Sequence, residues 1–518
     1  MVGLTGLFGS HSSANHEQVL KVMSSTLEHR GPQSLIKCEK PHHDQDTDSH
    51  QNGLNAFVGI HGSQMQVFSK PGLTFIVDTV STNDRLSQSL SNLGSDASDL
   101  ELHQILNRIP QENLFGTVIV LIDHHGLKVA RTMDGTRTLY HGNLGQSIAF
   151  ASEKKCLWNV GIENVIPLDP GTVLSISWAG GQEVKEYTSR TQSTVKAGFS
   201  EKDALARLEI DLRRSMNRVD GYSRCGILFS GGVDSSLLAK ISSEYFDEIL
   251  LFSSWAEKSR DSEDAKVAAQ KIDQRIIEVP LSTDIVWEVL PKVIYAIESM
   301  NRMDVEIAIP FFLAAEEAKI HGIELMLSGQ GPDELFAGYA KHLQVVKDSG
   351  YEKLNEQLWN EISVTHEKNI ARDARAIAFH GLESYFPYLD VNFANLALSL
   401  PGRWKVNLNE TPDRKIIFRK LAAKLGLPSI LANASKSATQ YSSGSSRMLL
   451  QAIGENVEEC RSASRKETEA MVQTVLNLIA SEMEIQGSTH GVTKLNVDLE
   501  PTRQFASYIP RLPASNEG

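Results

Sequence analysis

The chain has 518 residues, of which 41% are hydrophobic, and it carries a formal net charge of −13. This length predicts about two to four domains, and the acidic balance argues against nonspecific binding to nucleic acids or to anionic membranes. The sequence shows neither an N-terminal signal pattern nor an apolar stretch of membrane-spanning length, so neither secretion nor a membrane anchor is predicted.

The cysteines indicate a reducing compartment. They are scattered, without the spacing of a metal site or a disulfide framework, at Cys38, Cys156, Cys225 and Cys460. This usage predicts a cytoplasmic protein. Cys225 precedes an apolar run and is predicted to be a small core residue.

The first third of the chain combines many short strand patterns with few helices. A strand is predicted at Val2–Phe8 and a helix at Gln18–Leu27, which ends at the stop signal His29-Arg30-Gly31-Pro32. Further strands are predicted at Ala56–Ile60, Met65–Phe68, Leu73–Val77, Gly116–Ile122, Leu127–Arg131, Leu139–His141, Ser147–Ala151 and Gly171–Ile176, and a helix at Leu100–Ile109. The His- and Asp-rich segment 40–53 is interpreted as a solvated loop. The pattern predicts a layered α+β domain of antiparallel sheets.

Beyond a polar stretch at 189–200, interpreted as an interdomain linker, strand and helix patterns alternate. Ser200 and Asp203 are predicted to cap a helix that runs to about Arg218. Strands are then predicted at 227–229, 249–252, 275–279 and 323–327, with helices at 265–272, 285–300 and 308–321. This alternation predicts an α/β domain with a parallel sheet, whose ligands bind beyond the carboxyl ends of the strands. The loops after Phe229, Phe252 and Leu327 should therefore meet at one crevice.

The turn after the central strand carries the strongest chemical signal. It reads Ile227-Leu-Phe-Ser-Gly-Gly-Val-Asp-Ser-Ser236, which predicts a buried strand, a tight glycine turn and the start of a helix. The amide groups of such a turn and the helix N-terminus bind anions, most naturally phosphate. A Walker loop would end in Gly-Lys-Ser/Thr, and this turn has no lysine. The nucleotide-binding residues predicted here are Phe229, Ser230, Gly231, Gly232, Asp234, Ser235 and Ser236, and Asp234 is also predicted to face a Mg²⁺ that accompanies the nucleotide.

A second glycine-rich segment, Ser328–Tyr339, follows the strand at 323–327. It reads Ser-Gly-Gln-Gly-Pro-Asp-Glu-Leu-Phe-Ala-Gly-Tyr. Its glycines allow the backbone to approach a ligand closely, so it adds three predicted nucleotide-binding residues, and a fourth directly follows the neighbouring strand: Ser328, Gly329, Gly331 and Ser253. Asp333 is the second predicted Mg²⁺ ligand, since hard oxygen donors suit that ion.

These motifs resemble those of known families. The pattern Ser-Gly-Gly-x-Asp-Ser-Ser resembles the pyrophosphate loop of ATP pyrophosphatases, which cleave ATP to AMP and pyrophosphate. The first third resembles a class II glutamine amidotransferase domain through, in order, Gly3–Phe8, His29–Pro32, Asp134–Tyr140, Phe150–Lys154 and Pro170-Gly171. Together the two parts resemble the asparagine synthetase family over nearly the whole chain, and in particular asparagine synthetase domain-containing proteins.

The resemblance implies a domain order and a fold class. It implies an α/β protein with an Ntn-hydrolase-like, antiparallel-sheet domain at 1–188 and a linker at 189–200. An adenine nucleotide alpha hydrolase-like domain with a parallel sheet would follow at 201–486, and a C-terminal tail would occupy 487–518.

The resemblance also implies an ATP-dependent, amide-forming ligase that uses ATP and Mg²⁺. A carboxylate acceptor, with aspartate as the first expectation, would attack the α-phosphorus to give an acyl-adenylate and pyrophosphate, and an amine would then displace AMP. Lys436 matches the family lysine that stabilises the departing pyrophosphate, and Gln330 stands where the family carries Glu or Gln. Lys415 is interpreted as a catalytic cation or as a surface lysine. Glu383 is interpreted as facing the acceptor or as the structural partner of a neighbouring arginine.

The first domain departs from the family where its glutaminase chemistry should lie. Val2 replaces the nucleophilic cysteine, and Cys38 is internal, so no terminal amine can activate it. Asp78 begins the counterpart of the oxyanion-binding segment, where a carboxylate would oppose a developing negative charge. Arg131-Thr132 replaces the family's Arg-Asp pair, and the glutamine-binding arginine is lost near His61. The domain is therefore predicted to lack glutaminase activity, and the nitrogen would come from ammonia or another amine.

The sequence does not identify the carboxylate acceptor. Glu306 and Tyr385 replace two cationic residues that would clamp an aspartate carboxylate, so aspartate is favoured only by its frequency in the family. The alternatives are a synthetase acting on a different carboxylate, as β-lactam-forming relatives do, and a nucleotide-binding pseudoenzyme or scaffold. Small-molecule partners are predicted, nucleic acids and membranes are not, and the oligomeric state is not readable from the sequence.

Overall fold

A computed structural model describes residues 3–9, 13–39, 55–61, 66–70, 73–80, 115–188, 190, 192–196, 198–257, 259–409, 413–434, 443–488 and 495–512. The chain divides into two compact units. The first comprises Met1–Ser189, Ile485–Gly487 and Ala506–Gly518, and the second comprises Arg190–Glu484 and Ser488–Phe505. The C-terminal segment therefore contributes to both units. None of the helices in the described part of the chain is long and apolar enough to cross a membrane.

The first unit is built on two antiparallel sheets. Its strands are β1 (Gly3–Gly9), β2 (Gln33–Glu39), β3 (Asn55–His61), β4 (Gln66–Lys70), β5 (Leu73–Thr79), β6 (Thr117–Ile122), β7 (Gly126–Arg131), β8 (Tyr140–Leu144), β9 (Ser147–Ala151), β10 (Ile166–Pro167), β11 (Thr172–Ser177) and β12 (Gln182–Glu186). One sheet has the order β10-β8-β9-β1-β3-β2 and the other the order β12-β11-β7-β6-β5-β4. The layered antiparallel architecture is thereby confirmed, whereas β2, β10 and β12 were not predicted. The predicted helix at Leu100–Ile109 lies outside the described residues.

Alternating side chains of the first sheet build two cores. On β1, Leu4 and Phe8 join the core shared with the second sheet, while Leu7 faces the opposite way. Leu7 packs against the helices α1 (Ser13–Ser25) and α2 (Lys154–Trp158), through residues such as Met23 and Cys156. Because successive side chains of a strand point to opposite faces, β1 is buried along its whole length.

The second unit contains a five-stranded parallel sheet. Its strands are β13 (Arg224–Leu228), β14 (Glu248–Ala256), β15 (Arg275–Leu281), β16 (Leu325–Leu327) and β17 (Glu383–Tyr385), in the order β15-β14-β13-β16-β17. The predicted parallel sheet is thus confirmed, with β13 at its centre. Two details of the prediction are wrong. β14 continues four residues beyond Phe252, so Ser253 lies within the strand, and β17 was not recognised as a strand at all.

Helices precede, connect and follow these strands. In chain order they are α3 (Glu201–Met216), α4 (Val233–Ser242), α5 (Arg260–Lys271), α6 (Thr283–Ile297), α7 (Arg302–Ile320), α8 (Pro332–Leu335), α9 (Ala340–Thr365), α10 (Ala371–Ala378), α11 (Val391–Ser399), α12 (Gly402–Lys405), α13 (Ile416–Lys424), α14 (Ser429–Ala432), α15 (Ser445–Asn456), α16 (Glu458–Arg461), α17 (Arg465–Glu482) and α18 (Glu500–Ala506). A short hairpin pairs β18 (Val406–Asn407) with β19 (Asp413–Arg414). The predicted cap of α3 is confirmed: the Ser200 hydroxyl accepts from the Asp203 amide, and the Asp203 carboxylate accepts from the Ser200 amide.

The register of the central strands aligns their carboxyl ends. Leu228 of β13 pairs with Phe252 of β14, and Ile227 pairs with Leu327 of β16. Ser230, Ser253 and Ser328 therefore follow at the same edge of the sheet, as expected for a ligand crevice in a parallel sheet.

Candidate functional site

The turn between β13 and α4 depends on Gly231. This residue has a φ of +74°, and a Cβ at this position would lie 2.8 Å from Cα of Ala265. Only glycine fits such a conformation and such a close approach without strain. The turn is closed by the Ser236 hydroxyl, which donates to the Gly231 carbonyl oxygen at 3.2 Å. The chain then enters α4 at Val233, so the first turn of a helix follows the glycines directly.

The predicted nucleotide-binding loops meet at one cavity. Its volume is about 700 Å³, open to solvent, and it lies at the carboxyl ends of β13, β14 and β16. The predicted site residues in its lining are Phe229, Ser230, Asp234, Ser235, Ser253, Ser328, Gly329, Gln330 and Asp333. Gly231, Gly232, Ser236 and Gly331 are not part of the described lining. Gly331 has a left-handed backbone with a φ of +113°.

The two glycine-rich segments contact each other at Gly329. A Cβ on this residue would lie 3.2 Å from the backbone carbon of Asp234 and 3.2 Å from the amide nitrogen of Ser235. A side chain here would therefore push the two loops apart. The hydroxyl of Tyr388 also donates to the backbone oxygen of Asp234 at 2.9 Å. Tyr388 thus fixes the first loop, a positioning role that the sequence did not reveal.

Lys415 joins the two predicted metal-binding carboxylates. Its Nζ lies 2.6 Å from Oδ2 of Asp234 and 2.8 Å from Oδ1 of Asp333. Lys415 is only 2% exposed and has a left-handed backbone with a φ of +57°, immediately before α13. The interpretation of Lys415 as a surface lysine is therefore wrong. Burial lowers the pKa of the Lys415 ammonium, while the contact with Asp234 opposes this effect.

The donor set fits a magnesium ion that arrives with a nucleotide. Asp234 and Asp333 contact the same nitrogen, so their carboxylate oxygens are near enough to share a cation. Among the described residues, no group of three or more His, Cys, Asp or Glu side chains could hold a metal by themselves. Mg²⁺ typically binds through one or two carboxylates and completes its coordination with phosphate oxygens and water. Two aspartates beside a phosphate-binding turn match this requirement.

Gln330 is held in one orientation by Asp373. The Gln330 Nε2 donates to Oδ2 of Asp373 at 2.7 Å, and the other oxygen of Asp373 accepts from Arg372 at 2.8 Å. Because only the amide NH₂ group can donate to a carboxylate, the carbonyl oxygen of Gln330 is left as its acceptor for a ligand in the crevice. Burial raises the pKa of Asp373, and the Arg372 guanidinium opposes this effect. Asp373 was not among the predicted site residues.

Two further predicted residues are not placed in the crevice. Glu383 lies buried on β17, where its carboxylate accepts from the Ser384 amide at 3.0 Å, and it is not part of the described lining. Lys436 lies outside the described residues. Arg419 fixes the backbone that leads to it, donating to the carbonyl oxygens of Ala432 and Ala434 at 2.7 and 3.0 Å.

The first unit joins two of its sequence motifs through a buried carboxylate. Glu153 is fully buried and pairs with Arg30, His29 and Lys155, with the Arg30 Nε at 2.6 Å. Although burial raises the pKa of Glu153, Arg30 and Lys155 hold it well below its usual range. Three partners on one buried carboxylate make this a structural cluster.

Three residues at the predicted glutaminase positions, Arg131, Asp78 and His61, are also buried. The guanidinium of Arg131 donates to three backbone oxygens, those of Gly135, Arg137 and Leu168. Asp78 lies 3.1 Å from Nε of Arg137. Burial lowers the pKa of His61 to about 4, so this side chain is neutral at physiological pH. Val2 lies outside the described residues.

Comparison with known proteins gives the family. The family model described as asparagine synthase matches residues 207–352 and 342–482, which together form more than half of the chain and include the whole crevice. A putative glutamine-hydrolysing asparagine synthetase 1 of Methanocaldococcus jannaschii is 29% identical over 62% of this chain and 68% of its own length. The root asparagine synthetase of Pisum sativum is 26% identical over 81% of this chain and 74% of its own.

Other comparisons cover a smaller share of the relative's length or give a weaker similarity. Against the Arabidopsis thaliana and rice asparagine synthetases, this chain spans about half of the relative's length. The solved glutamine phosphoribosylpyrophosphate amidotransferase from B. subtilis aligns with 53% of this chain and 65% of its own, at 15% identity. Its TM-score of 0.26 is too low for any inference. The match over the crevice and the relatives agree, and the chain therefore belongs to the asparagine synthase family, a family of ATP-dependent carbon–nitrogen ligases.

Proposed function

We propose that the second unit activates a carboxylate acceptor with ATP and joins it to an amine. The observation that carries this proposal is the convergence of both glycine-rich loops, with Asp234 and Asp333, in one cavity at the carboxyl edge of the sheet, where Lys415 contacts both aspartates. The acceptor oxygen attacks the α-phosphorus, and the bond to the pyrophosphate oxygen breaks. An amine nitrogen then attacks the acyl carbon of the adenylate, AMP leaves and an amide remains.

The residues of the two loops bind the nucleotide. Ser230 and Ser235 line the cavity at the turn before α4, and their hydroxyls and the amides of this turn suit phosphate oxygens. Ser253, within β14, and Ser328, directly after β16, add two more hydroxyl donors. In this arrangement catalysis consists mainly of positioning and charge stabilisation.

Cationic groups stabilise the departing pyrophosphate. Asp234 and Asp333 would hold Mg²⁺, which neutralises phosphate charge when it is bound. Lys415 adds a fixed cation at the same carboxylates and keeps them from repelling each other. Lys436 is proposed as the second cation on the basis of its sequence motif alone.

Gln330 receives the nitrogen nucleophile. Its carbonyl oxygen accepts a hydrogen bond from ammonia or an amine, because Asp373 holds its NH₂ group. An amide oxygen does not take up a proton at neutral pH, so Gln330 orients the nucleophile and does not act as a base. Glu383, buried on β17, is proposed to support the acceptor side of the sheet rather than to touch the substrate.

We also propose that nitrogen does not come from glutamine hydrolysed by the first unit. Val2 offers no nucleophilic atom, and this absence carries the proposal. The engagement of Arg131 by three backbone oxygens supports it, since an arginine used in this way is not free to clamp a free amino acid. Ammonia or an amine-bearing substrate supplies the nitrogen, and the scattered cysteines, which lack the spacing of a disulfide framework, fit activity in the cytoplasm.

Pyrophosphate release from ATP and Mg²⁺ tests this function. Aspartate with ammonium is measured first, then aspartate with glutamine, and then a panel of other carboxylates with ammonium. Turnover with ammonium but not with glutamine, with the amide detected, supports the proposal, and the acid that turns over fastest identifies the acceptor. Equal turnover with glutamine contradicts the proposed nitrogen source. ATP binding without pyrophosphate release for any acid contradicts ligase activity and favours a nucleotide-binding scaffold.

A further inference from the structure

A buried carboxylate that the proposed reaction does not use lies next to Asp333. Glu334 is 3% exposed and does not belong to the described lining of the crevice. Its Oε1 accepts a hydrogen bond from the Tyr339 hydroxyl at 2.6 Å and another from the Asn369 side-chain amide at 3.1 Å. We call these three residues the Tyr–Glu–Asn cluster. Because a buried carboxylate is costly unless it is hydrogen-bonded, two donors on one oxygen fix its position.

The segment 333–339 folds tightly around its first residue, Asp333. Ala337 has a left-handed backbone with a φ of +58°, and the Gly338 amide donates to the backbone oxygen of Asp333 at 2.8 Å. A Cβ on Gly338 would overlap both Oδ1 of Asp333 and Cε of Lys415. A non-glycine residue with a left-handed backbone persists only where its surroundings fix it. Because only a hydrogen fits between Gly338 and these two side chains, the course of this segment sets where Asp333 and Lys415 meet.

Both donors of the Tyr–Glu–Asn cluster are anchored. Asn369 belongs to a π-helical turn, His366–Ile370, between α9 and α10, and such turns frequently occur at functional sites. The Tyr339 amide donates to Nδ1 of His342 at 3.2 Å, and Nε2 of this buried histidine lies 2.9 Å from Oε2 of Glu361. Because Nδ1 accepts, Nε2 carries the proton and donates to Glu361. The cluster is thereby tied to the body of α9.

We propose that the Tyr–Glu–Asn cluster positions Asp333 and Lys415 for the departing pyrophosphate. The proposal rests on the ligase function proposed above. The three side chains lie outside the described lining of the crevice, so they act through the segment 333–339 and not on the substrate. Without one of their hydrogen bonds this segment relaxes, and Asp333 and Lys415 lose the geometry that the leaving group requires. Because these two residues act on charge that develops as pyrophosphate leaves, the loss appears in kcat and not in KM for the acceptor.

Removal of the Tyr339 hydroxyl tests this role. Pyrophosphate release is measured with ATP, Mg²⁺, ammonium and the acid that turns over fastest. Tyr339→Phe keeps the ring and deletes one hydrogen bond to a carboxylate, so we expect kcat to fall about 10-fold with KM for the acceptor unchanged. Tyr187→Phe is the matched control, because the Tyr187 hydroxyl donates to the backbone oxygen of Arg131 in the first unit at 2.8 Å. Its kcat should equal that of the parent protein, and an equal kcat in Tyr339→Phe overturns the proposal.

Two substitutions of Glu334 separate hydrogen bonding from charge. Glutamine keeps a carbonyl oxygen that accepts from both donors, so Glu334→Gln should retain most of the parent kcat. Glu334→Ala should lose at least as much as Tyr339→Phe, with urea unfolding to establish that each variant is folded under the assay conditions. Equal losses in the glutamine and alanine variants would assign the effect to the charge and overturn the proposal, as would a folded Glu334→Ala with the parent kcat.

A double-mutant cycle separates failure of this cluster from failure of the ligase function. The free energy of unfolding in urea is measured for Tyr339→Phe, Lys415→Met and the double variant, without nucleotide or acceptor. Because the cluster holds Lys415 in place through the segment 333–339, the double variant should lose less stability than the sum of the single losses. If no acid releases pyrophosphate, such coupling still supports the positioning role while the ligase proposal fails. Additive losses, as expected for Tyr187→Phe combined with Lys415→Met, overturn the positioning role.

Discussion

Replacing Lys415 by methionine removes the cation that Asp234 and Asp333 share. The two carboxylates are largely buried, with side chains 17% and 8% exposed, and both contact the same Nζ within 2.8 Å. Their oxygens are thus at most about 5.4 Å apart, and two like charges within that separation repel by roughly 3 kcal/mol or more at an effective dielectric constant of about 20. Loss of one partner of a buried ion pair costs about 3–5 kcal/mol. We expect Lys415→Met to lower the free energy of unfolding by this amount.

Magnesium should reverse part of this loss. In Lys415→Met the two aspartates have no built-in cation, so they should bind Mg²⁺ more tightly than in the parent protein. Binding at 100 times the dissociation constant stabilises a protein by about 2.7 kcal/mol. Urea unfolding is measured in EDTA and then over a titration of MgCl₂, without nucleotide, so the readout does not depend on turnover. Each addition of MgCl₂ should raise the free energy of unfolding of Lys415→Met by more than that of the parent protein.

Lys420→Met is the control for this experiment. Lys420 lies on the same helix, α13, and its exposed side chain pairs with Glu201 at 2.6 Å. An exposed pair of this kind contributes at most about 1 kcal/mol, and its loss should leave the response to Mg²⁺ unchanged. The reasoning is refuted if Lys415→Met loses no more stability than Lys420→Met, or if Mg²⁺ stabilises both variants equally.

Three further outcomes are expected. Asp373→Asn removes the carboxylate that accepts hydrogen bonds from Arg372 and Gln330, so the orientation of Gln330 is less fixed. The rate of pyrophosphate release should therefore fall about tenfold, with the KM for ATP unchanged. An unchanged rate would contradict the proposed role of Gln330. Gly231→Ala should destabilise the protein by about 1–2 kcal/mol or more in urea unfolding, whereas Gly232→Ala, whose Cβ would meet nothing nearer than 3.5 Å, should not. Burial lowers the pKa of Lys405 from 10.5 to about 7. Between these values the unfolded chain binds more protons than the folded protein, so the free energy of unfolding rises with pH. Relative to Lys405→Met, the parent protein should gain up to about 4 kcal/mol from pH 7 to 10.5. A difference between the two proteins that does not change with pH would refute the shift in pKa.

Local pattern determined much of the fold. Alternating apolar residues in the first third and strand–helix alternation beyond residue 200 led to the antiparallel sheets and the parallel sheet that the structure shows. The turn at 230–232 was predictable because a run of apolar residues into two glycines and a helix start leaves the backbone few choices. The crevice followed from a general property of parallel sheets, whose loops meet at one edge.

Strand limits and single elements were harder to predict. β17 has only three residues, too few for an alternation to show, and it is a strand because it pairs with β16 in the interior. β12 was missed because its residues are polar and exposed, so no buried face marks it. β14 extends through Ser253 because β15 continues to pair with it, which is a property of the neighbouring strand and not of the segment itself.

The sequence by itself determined the family resemblance, the two glycine-rich loops and the acids within them, because these features are contiguous in the chain. Only the tertiary structure decided which distant residues complete the site. Lys415 lies 181 residues from Asp234 and ends beside it, and Asp373 reaches Gln330 across 43 residues. Such contacts depend on how helices pack on the sheet, and no local spacing encodes that packing.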